Sequence, residues 1–213
     1  MLNTHWGARK KHHAASVVFR RKRNGHNEIL LQHRSPLIWG GTRPDKGPNT
    51  LSFPGGRAHW LDKLPIVTAW RESKEECAPY SEFTLSSFRA CVVNVLYDNP
   101  VNLLFVVDAD KLQFLGCVPW DWDGYSGLAP SEICYDVVSS GHAWITSQQV
   151  MDALRKDNNL IRVGSGDGTS LPLWNLTRGA LSKFYSRIFM DRPVLRANQW
   201  EASRQSYNPI SPS

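Results

Sequence analysis

Apolar and β-prone residues cluster in short runs over the first third of the chain. Residues 14–19 and 28–33 are two such runs, separated by the basic turn 22–27 with its Asn and Gly, and this pattern predicts a hairpin. Residues 35–52 are dense in Gly, Pro, Asn and Asp, the composition of an irregular loop leading to Phe53-Pro54-Gly55-Gly56. The period then becomes helical, because Ile66, Trp70 and Cys77 recur at offsets of four and seven and form one apolar stripe. Pro65 suits the first turn of that helix and Pro79 its end. Residues 88–97 and 101–107 predict two further strands joined by Asp98-Asn99-Pro100. A Trp-, Gly- and Pro-rich loop occupies 111–130, strand-like runs follow at 132–138 and 142–145, and a helix is expected over 147–156. After a turn cluster at 164–170, residues 173–190 predict a closing helix with Leu176, Ala180, Leu181 and Phe184 on one side. With no internal repeat, this order predicts one α/β domain over 14–190, a mixed sheet covered by helices, between a basic arm (1–13) and a polar tail (191–213).

Composition narrows the partners. The 213 residues are 41% apolar, enough for a real core, and the net charge of +6 favours polyanions. The excess gathers in Arg9, Lys10, Lys11, His12 and His13 and in Arg20, Arg21, Lys22 and Arg23, which are either a solvated edge or a contact for polyphosphate or RNA. Cys77, Cys91, Cys117 and Cys134 lack paired metal spacing, so a zinc site is not expected; a reducing compartment is the simplest home, with disulfides left open for a secreted chain. Residues 1–15 lack the apolar centre of a signal peptide, and no stretch of about 18 apolar residues exists, so the sequence reads as a soluble, cytoplasmic protein without a membrane partner.

Candidate chemistry lies on the first helix. Glu72, Glu75 and Glu76 fall within about a 100° arc, facing away from the Ile66, Trp70 and Cys77 stripe. Like charges at such spacings cost a helix about 0.2–0.5 kcal/mol per pair. Arg71 and Lys74 could offset that on a plain solvated face. The other resolution is Mg²⁺ or Mn²⁺, hard cations bound by carboxylates together with substrate phosphate oxygens.

Phe53-Pro54-Gly55-Gly56 followed by Thr68-Ala69-Trp70-Arg71-Glu72-Ser73-Lys74-Glu75-Glu76 resembles the signature of the Nudix hydrolase superfamily, a glycine loop and then Arg-Glu, two residues and Glu-Glu. The resemblance implies an α/β/α sandwich with a central mixed sheet and a pyrophosphohydrolase activity dependent on Mg²⁺ or Mn²⁺. It implies Glu72, Glu75, Glu76 and the Gly55 carbonyl as metal ligands, and Arg71 as the residue that orients the carboxylates. Lys63 stands where the common box has a glutamate, with Asp62 beside it and one extra loop residue; Ser73, Ala78 and Pro79 are further departures.

The longer loop, Asp62 and Thr68-Ala69 are similar to the coenzyme A pyrophosphatase branch, as are Leu30-Leu31-Gln32-His33-Arg34-Ser35, Arg43 with Gly47, Pro130-Ser131-Glu132-Ile133 and Trp174-Asn175-Leu176-Thr177. Gln32 replaces a Thr of that branch, and the spacing around Arg43 and Gly47 differs from it. The expected substrate is a nucleotide-type diphosphate, coenzyme A-like by that resemblance, or an RNA 5′ end from the basic N-terminal half and the aromatic 111–130 loop. Arg34, Arg43 and Arg57 are its expected phosphate contacts, and Arg34 could equally be a surface cation. Trp120 and Trp122 are candidate base-stacking residues, each stack worth about 1–3 kcal/mol, or else an aromatic mini-core pinning their loop. Glu132, then Asp136, is the candidate general base, if it is not simply a surface strand residue. A different class of reading is a catalytically weak scaffold of the same fold that binds RNA or a protein.

Overall fold

The computed structural model describes residues 14–34, 49–77, 83–99, 102–112, 139–155, 159–163 and 169–190. The hairpin forms, longer than its apolar runs: β1 (Ala14–Arg23) and β2 (His26–Arg34) meet at the two-residue turn Asn24-Gly25. Both turn residues have positive φ, 49° and 79°, which is the turn whose twist matches paired strands and the reason Asn-Gly closes it.

Strand β1 is the centre of a seven-stranded mixed sheet. One edge of β1 runs parallel to β6 (Asn102–Asp108), from Ala14 beside Asn102 to Arg20 beside Asp108. Its other edge is divided: Arg20–Arg23 pair with β2, while Ala14–Ser16 pair antiparallel with β4 (Gly55–Arg57). Strand β2 is divided in the same way. One edge carries β7 (Ser139–Thr146), and the other passes from β1 to β3 (Thr50–Ser52), which pairs with Gln32–Arg34. So β1 and β2 part like a fork, and Phe53-Pro54 crosses the gap between β3 and β4, with the Val17 amide donating to the Pro54 carbonyl at 2.8 Å. Strand β5 (Val92–Asn99) closes the far side against β6.

Side chains alternate between two cores. Ala15, Val17, Phe19, Leu30, Leu103, Phe105 and Val107 face α1 (Pro65–Cys77) and α2 (Leu85–Ala90). Val18, Ile29, Leu31, Leu104 and Val106 face α3 (Ser147–Arg155) and α4 (Asn175–Phe189). Burial on both faces explains why these strands read as nearly continuous apolar runs. The architecture is the expected α/β/α sandwich with a central mixed sheet.

Several boundaries differ from the pattern. The strand expected from residue 88 begins at Val92, because Leu85–Ala90 form α2 behind a Thr84 cap that accepts the Ser87 amide at 3.1 Å. Phe88 is thereby carried to the Phe19 and Phe83 rings, with centroids 6.4 and 5.7 Å away. The end of the predicted 35–52 loop is β3, and the 164–170 turn is flanked by the small hairpin of β8 (Leu160–Arg162) and β9 (Ser170–Pro172). Leu176 is 52% exposed rather than on the buried side of α4, which packs Thr177, Ala180, Leu181, Phe184 and Ile188 instead. The arm, the tail and the 132–138 run lie outside the described residues. Among the described residues no helix is long and apolar enough to cross a membrane.

Candidate functional site

The mouth of the fork is where the glycine turn meets α1. Gly55 has φ +151°, and a Cβ there would stand 2.5 Å from the Ala15 carbonyl oxygen and the Ser16 Cα, so only glycine lets β4 lie this close to β1. A Cβ on Gly56 would collide with the Glu72 carboxylate, which occupies that space. The two glycines thus serve different neighbours, one a strand and the other an acid.

Helix α1 turns its glutamates in two directions. Glu72 lies on the buried face with Ile66, Ala69, Ser73 and Cys77, at 6% exposure. Glu76 reaches the same turn and accepts the Gly55 amide through Oε2 at 2.5 Å. Glu75 points outward, its side chain half exposed. The single outward patch expected from the helical arc is therefore divided: the sheet-facing side of α1 is wide enough to take in two acids because Thr68, Ala69 and Ser73 are small. Buried Ser73 meets its own need by donating to the Ala69 carbonyl at 2.7 Å.

Arg71 ties the parts together. Its Nη2 lies 3.0 Å from Asp62 Oδ2, 2.7 Å from Glu72 Oε1 and 3.0 Å from the Arg57 carbonyl oxygen, and its Nη1 is 2.8 Å from Glu75 Oε2. Burial works against the guanidinium charge, but hydrogen bonding to Asp62 and the charges of Glu72 and Glu75 outweigh it and raise its pKa. Asp62 also suffers from burial, yet Arg71, the His59 amide and Thr68 hold it below the usual carboxylate range. At Glu76, burial dominates and pushes the carboxyl up to about 8, with Glu72 adding to the rise, while bonds from Gln32 and the Gly55 amide and the charge of Arg34 work the other way.

Among the described residues no group of three His, Cys, Asp or Glu side chains is gathered to hold a metal ion. What the geometry offers is smaller: two inward carboxylates, Glu72 and Glu76, beside the Gly55-Gly56 backbone. That all-oxygen set suits Mg²⁺ or Mn²⁺, since Mg²⁺ is usually bound by one or two carboxylates with the remaining positions left to water and substrate phosphates.

The chain is similar to Nudix hydrolases of known structure. The Mycobacterium smegmatis Nudix hydrolase RenU is 17% identical at a TM-score of 0.41, covering 86% of this chain and 90% of that one. A Nudix hydrolase from Alicyclobacillus acidocaldarius is 17% identical at 0.43, with coverages of 81% and 90%. The Caenorhabditis elegans Ap4A hydrolase is 17% identical at 0.34, with coverages of 65% and 82%. No protein-family model and no curated protein matches the chain.

The other expected substrate residues are scattered or out of view. Arg34 is 6% exposed, with its guanidinium 4.2 Å from the Trp174 ring centroid and Nη1 3.4 Å from Ser52 Oγ, so it is neither a surface cation nor a free one. Arg57 is exposed at the end of β4. Arg43, Trp120, Trp122, Glu132 and Asp136 lie outside the described residues, as do Cys117 and Cys134; Cys77 and Cys91 are buried and not in a disulfide.

Behind the carboxylates sits a polar layer that periodicity did not pick out. Gln32, wholly buried on β2, bonds Glu76 and donates to the Phe53 carbonyl at 3.5 Å, while its Oε1 has no partner. Its cross-strand neighbour His142 is 2% exposed, with Nε2 3.6 Å from Cys77 Sγ and Nδ1 unpartnered. Burial pushes the His142 pKa down to about 4, so the ring is neutral. The available signal was parity: Gln32 stands two residues after Leu30, on the face of β2 that packs against α1.

Proposed function

We propose that the chain is a Nudix-type pyrophosphohydrolase that opens a diphosphate linkage in a nucleotide-type substrate with the help of Mg²⁺ or Mn²⁺. The observation that carries this reading is the convergence of Glu72 and Glu76 on Gly55-Gly56, where one glycine admits the strand and the other admits the acid. Two carboxylates turned into a largely closed site are expensive unless a cation or protons neutralise them. A divalent cation held by Glu72 and Glu76 would neutralise charge on a diphosphate and ease loss of a proton from the attacking water.

The chain's own residues supply position. Glu76 is fixed by the Gly55 amide and Gln32, and Glu72 is fixed by Arg71 and by the space above Gly56. Glu75, half exposed and paired with Arg71, completes the proposed ligand set from the solvent side when that pair opens. Arg71 is the proposed orienting residue. Coenzyme A-type diphosphates and RNA 5′ ends remain the two substrate types drawn from the sequence, with Arg43, Arg57, Trp120 and Trp122 as their proposed contacts and Glu132 as the proposed base. Arg43 follows from the resemblance, Trp120 and Trp122 from base stacking, and Glu132 from the need for a proton acceptor.

The test is turnover of a panel containing coenzyme A, capped and 5′-triphosphorylated RNA, dinucleoside polyphosphates and nucleoside diphosphate sugars, with product masses measured with and without Mg²⁺ or Mn²⁺. E76Q keeps the size of the side chain and an oxygen that can still accept the Gly55 amide. The variant should fold and lose at least about 100-fold in turnover, the scale on which catalytic groups contribute. Cation-independent turnover, or full activity in E76Q, would refute the assignment.

A further inference from the structure

The loop between β4 and α1 is tightly built yet presents apolar surface to solvent. The His59 amide donates to Asp62 Oδ2 at 2.9 Å, the Asp62 amide returns a bond to the His59 carbonyl at 2.9 Å, and Thr68 Oγ1 holds the same carboxylate at 3.0 Å. Arg71 clamps this turn at two points, the Arg57 carbonyl and Asp62. At the tip of the turn, Trp60 is 81% exposed and Leu61 60%, and Leu64 just beyond is 40% exposed. A tryptophan is ordinarily largely covered, so an ordered turn that holds an indole out in water calls for a ligand.

The charges around it say which ligand. His59 and Lys63 are exposed on this loop and Arg57 at the end of β4 that enters it, whereas the loop's one carboxylate, Asp62, is turned inward with a side chain only 5% exposed. The outer face is therefore cationic and aromatic, the combination that takes phosphates and a planar base together. Trp60 is two residues from Asp62, at most about 7 Å along the chain, and Asp62 shares Arg71 with Glu72 and Glu75. One arginine therefore ties the turn that carries Trp60 to the carboxylates.

We propose that Trp60 is the stacking platform for the base of a nucleotide whose phosphates lie toward Glu72 and Glu76, with Arg57 and Lys63 beside the phosphate path. This rests on the diphosphate reading of the carboxylate site and adds to it a second subsite, for the base. The assigned chemical class is a nucleoside diphosphate; a second copy of the chain or a lipid surface is the competing occupant.

The experiment uses the full chain, Mg²⁺ and two probes that resist hydrolysis, adenosine 5′-methylenediphosphonate and methylenediphosphonate without the nucleoside, each titrated by calorimetry. Wild type should bind the nucleoside-bearing probe more tightly. Trp60→Ala should weaken that probe about 5- to 150-fold, the value of one stacked base, and leave the bare diphosphonate unchanged; Trp60→Phe should recover most of the loss. Equal affinity of wild type for both probes, or an unchanged nucleotide affinity in Trp60→Ala, overturns the proposal. So does a drop in molecular mass by light scattering, or a loss of vesicle binding, as the sole effect of Trp60→Ala. Failure of the diphosphate reading is separable: the panel would then show no cation-dependent turnover while the Trp60-dependent difference between the two probes persisted.

Discussion

Replacing Gly56 with alanine would separate chemistry from folding. The added methyl would stand 2.8 Å from Glu72 Oε1 and nearer still to its Oε2 and Cδ. Ordinary contact begins near 3.5 Å, so the carboxylate must retreat by about 1 Å. What it strikes is the end of a side chain, which can swing, and Gly56 needs no left-handed φ, so the fold should lose no more than about 1 kcal/mol. A displacement of about 1 Å in a positioned group, however, is worth about 100-fold in rate. Gly55→Ala is the contrasting case. Its methyl meets the Ala15 and Ser16 backbone, which cannot swing aside, at a φ of +151° that alanine tolerates poorly, and the cost should be about 3 kcal/mol or more. Urea unfolding beside kcat/KM on the preferred diphosphate distinguishes the two. Gly56→Ala should unfold near the wild-type midpoint and turn over about 100-fold more slowly, while Gly55→Ala should lose stability first. A Gly56→Ala enzyme with full kcat/KM, or one destabilised as much as Gly55→Ala, would refute the claim that this glycine makes room for an acid.

Two more expectations concern the layer behind the site. Gln32→Leu removes the amide that bonds Glu76 and also the unpartnered Oε1, so stability should change by less than about 1 kcal/mol while Mn²⁺ affinity falls about 10- to 100-fold; unchanged affinity by calorimetry would count against a positioning role. His142 stays neutral in the native state down to about pH 4, whereas in the unfolded chain it takes up a proton below its ordinary 6.5. Its contribution to stability is therefore constant above pH 6.5 and declines as the pH falls, by up to about 3 kcal/mol at pH 4. Half-buried His33, whose pKa burial also lowers, acts in the same direction. Unfolding midpoints at pH 7 and 4.5 should diverge less in His142→Gln than in wild type, and equal pH sensitivity would mean that the ring is not held neutral.

The legible parts of the sequence were those governed by one period. The strand runs, the helix from Pro65 and the closing helix came from apolar spacing, and Asn24-Gly25 and Pro65 marked their limits. The illegible parts were decided by tertiary neighbours. Leu85–Ala90 is six residues long and owes its helix to the Thr84 cap and to the place of Phe88 among other rings, which no local window reveals. The glutamate spacing identified α1 as chemically unusual, but not that Glu72 would turn inward, because that depends on Gly56 lacking a side chain 16 residues earlier in the sequence. Trp60 carries no signal in the sequence because a single aromatic in a loop has no period, and only its exposure makes it informative.

The parting of β1 from β2 also creates a hazard, since two half-edges of backbone donors and acceptors are laid open in the middle of the sheet. Such edges recruit strands from other molecules. Here each is stoppered by three residues, β3 on one and β4 on the other, with Pro54 between them. Plugs this short, broken by a residue with no amide hydrogen, make a poor template for a further strand. The glycine segment is thus also a guard against clumping, and a chain deprived of it should be lost to precipitation before any turnover assay could be run.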